Sequence, residues 1–198
     1  MKVLPILLSD SYKQFHHLMY PENITMLYSN FTPRKSRMKT NKAVFFGLQY
    51  YIKEYLINQW NENFFDRPLE DVVTEYKRFH KHFSFTEVTT DHIEKLHRLG
   101  YLPLLIKALP EGSEVPMGVP FFTVRNTHPD FAWLVNFIET QLSTVLWDLI
   151  TVATISKQYR KILDKYALET TGTKDFVQWQ GHDFSMRGRS SIESSFNQ

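Results

Sequence analysis

The chain has 198 residues, 42% of them hydrophobic and 22% charged, with 23 basic residues against 21 acidic ones for a net charge of +2. This is enough for one full domain, or one domain and a piece of a second, and the near balance of charge argues against a dedicated nucleic-acid binder. The absence of cysteine excludes a disulfide framework and a thiolate metal site and fits a reducing compartment.

The chain opens with "MKVLPILLSDSYK". Its apolar run is short, is interrupted by Pro5, and precedes no small-residue cleavage site, so no signal peptide is expected. No run in the chain is long enough to span a bilayer, and the expectation is a soluble, cytoplasmic protein. Residues 3–8 read as a short strand. Asp10 and Ser11 read as caps of a short helix that ends before Pro21, with Tyr12 half-buried. Residues 24–34, "ITMLYSNFTPR", alternate and favour a strand. Residues 34–42 carry Arg34, Lys35, Arg37, Lys39 and Lys42 and read as an exposed basic loop. After Gly47 the pattern turns helical, with Leu48, Tyr51, Ile52, Tyr55 and Leu56 on one stripe.

Residues 68–83 predict an amphipathic helix, with Pro68 in its first turn and Glu70 and Asp71 complementing the dipole. Residues 89–100 predict another, capped by Thr89 or Thr90 and stopped by Gly100. Residues 102–127 read as short strands with turns at Glu111–Gly112 and Met117–Gly118. Two helices are expected next, over 128–147 and 148–172. "FVQWQ" at 176–180 is apolar and β-prone and reads as a strand. Mixed strands and helices without strict alternation predict an α+β fold, with a boundary near 172–175.

The histidines do not make a helical zinc site. His16 and His17 are adjacent, and the pairs His80/His82 and His92/His97 miss the spacing of four. Surface or capping roles are expected, and no metal site. "NIT" at 23–25 matches a glycosylation acceptor, but nothing else in the chain reads as secreted.

The stretch "HDFSMRG" at 182–188 concentrates an aromatic face at Phe184, a planar cation at Arg187, and a glycine that admits close backbone approach. On composition alone it also reads as an ordinary polar loop. Its neighbours in the chain decide between these. "DSYK" at 10–13, "YSNFTPR" at 28–34, "VFFGLQYYI" at 44–52 and "IKALPEGSEVPMG" at 106–118 occur in order. They are followed by "FTVRNTHPDFAWLVNFIET" at 122–140, "ITVATISKQYRKIL" at 150–163 and "HDFSMRG" itself. Together these stretches resemble the N-terminal part of the nicotinamide phosphoribosyltransferases.

That resemblance implies formation of nicotinamide mononucleotide and diphosphate from nicotinamide and phosphoribosyl pyrophosphate, in NAD salvage. It implies the fold of a type II phosphoribosyltransferase, in which residues 1–173 form an N-terminal α+β domain and 174–198 open an α/β barrel. It implies a homodimer with active sites at the interface, no tightly bound cofactor, and magnesium arriving with phosphoribosyl pyrophosphate. By position, Phe184 matches the aromatic that stacks on one face of the pyridine, and Tyr12 the aromatic that a partner subunit lays on the other. Arg187 matches an arginine beside the pyridine and ribose phosphate. Asp10 matches an acidic residue of the same site, and Arg34 a phosphate-binding arginine reaching across the dimer.

Two departures stand out. Ser185-Met186 replaces the family's usual Gly-Tyr, and "SSIESSFNQ" replaces an expected Gly/Ala-rich continuation. The family's catalytic histidine falls outside residues 1–198, so the stretch reads as a portion of a longer enzyme, with the portion alone inactive. The alternatives are a nicotinate phosphoribosyltransferase, which differs in reading a carboxylate rather than an amide, and a non-catalytic dimerising or regulatory module. Nucleic-acid binding through 34–42 is a further alternative, weakened by the lack of interleaved aromatics.

Overall fold

The computed structural model describes residues 3–83 and 87–197. Among these residues five strands occur: β1 (Tyr28–Phe31), β2 (Lys42–Val44), β3 (Leu104–Ala108), β4 (Glu114–Pro116) and β5 (Phe122–Asn126). The α-helices are α1 (Leu48–Tyr50), α2 (Leu69–Phe83), α3 (Asp91–Leu99), α4 (Leu134–Phe137), α5 (Glu139–Thr171) and α6 (Ile192–Phe196). The mixture is α+β, as the pattern predicts. The chain forms two compact units.

The first unit comprises Met1–Phe31, Leu48–Ala108 and Phe122–Val145. Its sheet is antiparallel in the order β1-β5-β3, with Tyr28 opposite Arg125 and Leu104 opposite Asn126. Phe31 stacks on Phe122 across the β1–β5 pair, at 5.1 Å between ring centroids. Both predicted amphipathic helices form. α2 turns Val72, Tyr76 and His80 inward at helical spacing, and α3 buries Ile93 and Leu96. Gly100 ends α3 at φ 79°, a left-handed conformation that glycine adopts without steric cost. Its N–H bonds the carbonyls of Leu96 and His97.

Four expectations change. Residues 3–8 form a 3-10 turn at Pro5–Leu7, not a strand. Pro5 has no N–H for a ladder, and its fixed φ suits the start of a turn. The helix after Gly47 begins as α1 and widens into π-helix over Tyr51–Gln59 and Asn61–Phe65. Its buried residues Tyr51, Leu56, Trp60 and Phe64 recur at spacings of five, four and four, longer than the 3.6 of an α-helix. The two helices expected over 128–172 have a different boundary. A 3-10 turn at Pro129–Phe131 and the short α4 come first, and α5 then runs 33 residues without interruption. No glycine or proline lies within 139–171 to stop it. The strand expected at 176–180 is a 3-10 turn, Val177–Trp179. Its backbone is satisfied locally, with Val177 N–H on Lys174 O at 3.1 Å and Gln180 N–H on Val177 O at 3.1 Å. A strand needs a neighbour to take those groups, and among the described residues none pairs with it.

The second unit comprises Thr32–Gly47, Leu109–Phe121 and Leu146–Gln198. β2 and β4 pair antiparallel, with Lys42 opposite Pro116 and Val44 opposite Glu114. Ala43, Phe45, Val115 and Phe121 are buried there, and Phe45 stacks on Phe121 at 5.1 Å. The glycines of both predicted turns, Gly112 and Gly118, have positive φ. This strand pair is tied to α5 through Thr154, whose buried hydroxyl accepts the Val44 N–H at 2.9 Å and donates to Ile150 O at 2.6 Å. Thr154→Val keeps the shape and leaves the Val44 N–H without its acceptor. It is expected to lower the unfolding free energy by about 1–2 kcal/mol, read as a reduced urea midpoint at unchanged m-value. An unchanged midpoint would mean that the tie contributes nothing.

Candidate functional site

The stretch 182–189 lies in the second unit, and its shape is set locally. Asp183 folds back on the residue two ahead: its carboxylate accepts the Ser185 N–H at 2.7 Å and the Ser185 hydroxyl at 2.9 Å. Such a turn is what a short acidic side chain offers its own backbone. A 3-10 turn over Ser185–Arg187 follows, closed by Arg187 N–H on Phe184 O at 2.9 Å and Gly188 N–H on Ser185 O at 3.1 Å. Residues three apart eclipse in a 3-10 turn. The Arg187 guanidinium accordingly sits 5.5 Å from the centroid of the Phe184 ring. The ring is 65% exposed.

Two anchors hold this turn. Arg189 forms an ion pair with Asp148 of α5, so the residue expected to open a second helix instead fastens the turn to one long helix. Ser185 Oγ also lies 3.1 Å from the carbonyl of Ser195 in α6, and α6 is capped by Ser191, which accepts the Ser194 N–H at 3.1 Å. Ser185 therefore adds side-chain bonds to the turn, while Met186 points to solvent. A groove of about 600 Å³ runs beside the turn, lined by Ser156, Tyr159 and Arg160 of α5 and by Gln180, His182 and Asp183. An exposed ring under a planar cation can stack a flat heteroaromatic while an anionic group pairs with the guanidinium.

Arg34 is also in the second unit. It is exposed, at the start of the basic loop, and Lys35, Arg37, Lys39 and Lys42 are exposed with it. Ser36 and Thr40 turn that loop, accepting the N–H groups of Met38 at 3.0 Å and Lys42 at 3.2 Å.

Asp10 and Tyr12 lie in the first unit, where Asp10 precedes a 3-10 helix at Ser11–Met19. Asp10 makes no side-chain capping bond. Its Oδ2 accepts instead from Thr140 Oγ1 at 2.8 Å. Tyr12, expected half-buried, is 57% exposed. Its ring meets His16 edge-on at 6.0 Å. The structure thus joins Phe184 with Arg187 by contact, and Asp10 with Tyr12 along one short helix.

The histidines need correction. His80 is fully buried, and His17 stacks on His92 at 3.7 Å between ring centroids. Tyr76 lies 4.3 Å from His80 and Trp133 lies 5.3 Å from His92. Burial lowers all three imidazoles below their ordinary value of 6.5, that of His92 to about 3, with the nearby His17 and His80 adding to it. These are interior groups drawn from three separate elements, which spacing within any one element does not reveal. His97 and His128 do bond backbone, to Arg67 O at 2.8 Å and to the Asp130 N–H at 3.3 Å. Among the described residues, no group of three or more His, Cys, Asp or Glu is placed to hold a metal ion. No helix among them is long and apolar enough to cross a membrane.

Comparison with known proteins places this architecture. The profile of the family "Nicotinamide phosphoribosyltransferase, N-terminal domain" matches residues 5–106. A nicotinamide phosphoribosyltransferase of Acinetobacter baylyi is 48% identical over 96% of this chain and 39% of its own length. One from Mycoplasma genitalium is 31% identical over 96% of this chain and 45% of its own. The chain therefore spans about two-fifths of the length of these relatives. The crystal structure of human nicotinic acid phosphoribosyltransferase superposes with a TM-score of 0.59 over 79% of this chain and 28% of that one. At 22% identity this likeness speaks for the fold alone. The motifs in order, the α+β fold and the match over half of its residues converge: the chain belongs to the nicotinamide phosphoribosyltransferase family, and what it carries is the N-terminal part.

Proposed function

We propose that this chain is the N-terminal portion of an enzyme that makes nicotinamide mononucleotide and diphosphate from nicotinamide and phosphoribosyl pyrophosphate. The observation that carries the reading is the exposed Phe184 ring with the Arg187 guanidinium 5.5 Å from its centroid. It supplies a stacking face and a cation within one turn. Residues 1–173 serve as the N-terminal domain and 174–198 lead into the barrel. The enzyme works as a cytoplasmic homodimer.

In this reading nicotinamide stacks on Phe184, and Tyr12 of the partner subunit closes its other face. The pyridine nitrogen attacks ribose C1 as the bond from C1 to the diphosphate oxygen breaks. The ring nitrogen gains positive charge, and the departing diphosphate carries the electron pair away, with magnesium bound to it as part of the substrate. Arg187 lies beside the pyridine and ribose phosphate, and Arg34 pairs with phosphate across the dimer. Both place positive charge where negative charge must be held. Asp10 orients the ligand at the same site.

The test is direct. The full-length enzyme should form nicotinamide mononucleotide from both substrates, with nicotinamide outcompeting nicotinate, and residues 1–198 alone should show no turnover. Preference for nicotinate would assign the chemistry to the carboxylate substrate. Turnover by residues 1–198 alone would refute the division of labour between the two portions.

A further inference from the structure

The motif "DSYK" contains a residue whose placement the binding reading leaves unexplained. Lys13 is 2% exposed. Its ammonium forms an ion pair with Glu139 and donates to the Asn136 carbonyl at 2.7 Å. Burying an amine costs several kcal/mol unless it is paired and hydrogen-bonded, and a methionine of similar length would pack there without that cost. The pair is buried only at its Lys13 end, for the Glu139 side chain is 63% exposed, so the lysine crosses the interior to reach two acceptors at the start of α5.

The geometry it fixes is specific. Glu139 and Thr140 are the first two residues of α5. Glu139 holds Lys13. Thr140 holds Asp10 twice: its hydroxyl accepts the Asp10 N–H at 3.3 Å and donates to Asp10 Oδ2 at 2.8 Å. One hydroxyl can do both, having a single proton and two lone pairs. Asp10 and Lys13 are three residues apart, one turn of a 3-10 helix, so they fall on the same face. The Lys13 N–H closes that turn on Asp10 O at 2.9 Å. The next residue, Gln14, is buried and donates to Ile6 O at 2.9 Å and Ser9 Oγ at 3.0 Å. Every residue flanking Tyr12 on the inward face is tied down, and Tyr12 is left facing out. Among the described residues Asp10 Oδ1 carries no hydrogen bond, so it remains able to accept from a ligand.

We propose that Lys13, Glu139 and Thr140 are positioning residues that aim Asp10 and Tyr12 at the ligand. The proposal rests on the binding reading given above. The α5 N-terminus acts as a two-point clamp on one 3-10 turn, with Thr140 setting the carboxylate of Asp10 and Glu139 setting the turn through Lys13.

The decisive variant is Thr140→Val in the full-length enzyme, a change of nearly constant shape. It is expected to raise the KM for nicotinamide about five- to tenfold with kcat changed less than about twofold. In an Asp10→Ala background it should have no further effect on that KM, because the group it orients is gone. Lys13→Met is expected to act in the same direction, with Lys13→Arg restoring most of the loss. Amide hydrogen exchange gives an independent readout. Residues 10–14 should exchange at least about fivefold faster in Thr140→Val, with β5 unchanged.

An equal loss in the Asp10→Ala background, an unchanged KM, or unchanged exchange at 10–14 would each overturn the clamp. If the unmodified enzyme does not bind nicotinamide, the binding reading fails, and the exchange result still decides the clamp. If Lys13→Met does not fold, Thr140→Val decides alone.

Discussion

Phe184→Ala in the full-length enzyme is expected to weaken nicotinamide binding by roughly 5- to 150-fold, the equivalent of the ~1–3 kcal/mol that stacking a base on an aromatic ring supplies. The ring has little else to lose. It is 65% exposed, and its one described partner is the Arg187 guanidinium. A surface cation–π contact of this kind contributes only about 0.5–1 kcal/mol. The thermal midpoint should therefore move little, while titration calorimetry with nicotinamide should show a large loss. Phe184→Tyr retains the face and should bind within a few-fold of the original. Arg187→Lys behaves differently, because an ammonium lacks the planar fork that matches phosphate and lies flat over a ring. Unchanged affinity in Phe184→Ala would remove the stacking role and with it the central support for the pyridine site.

What could be read from the sequence follows the range of the interactions. Phe184 and Arg187 are three residues apart, and the turn that joins them is closed by Asp183, so the whole unit is local and legible in "HDFSMRG". α2 and α3 are legible for the same reason: their periodicity, the acidic first turns and the Gly100 stop are all carried within the segment. The strand expected at 176–180 failed because its apolar, β-prone residues state a preference that only a pairing neighbour can fulfil. The break expected before Asp148 failed because an aspartate can open a helix or sit within one, and with no glycine or proline nearby the backbone ladder runs straight through it. Its pairing with Arg189, 41 residues on, is a tertiary contact that the segment does not announce. The tie between Asp10 and Thr140 spans 130 residues, and neither residue carries a mark that singles out the other. Burial of the histidines was equally hidden. His17, His80 and His92 look polar in their own segments and become interior only when the Ser11–Met19 helix, α2 and α3 pack together.

That packing makes stability fall as the pH is lowered from 7 to 5. The folded state holds His92 down to about 3, chiefly by burial, and lowers His17 and His80 in the same direction. The unfolded chain binds protons at these groups near their ordinary value of 6.5. Below that value the unfolded state takes up protons that the folded state refuses, so the unfolding free energy drops with pH. For His92 alone the loss between pH 7 and pH 5 is about 2 kcal/mol, and His17 and His80 add to it with the same sign. The rings facing His92 are His17, Tyr76 and Trp133. No carboxylate is among the groups that shift it, so nothing there compensates an added proton. The acid window is clean as well. Glu114 is held below its ordinary 4.5, first by its hydrogen bond to Lys161 and also by Lys157, and its contribution is lost only at lower pH. Urea titrations at pH 7, 6 and 5 should show the decline, and His92→Gln, which cannot take up the proton, should flatten it by about 2 kcal/mol over that range. A flat profile in the unmodified protein, or an equal slope in His92→Gln, would show that protonation of this interior cluster does not couple to folding.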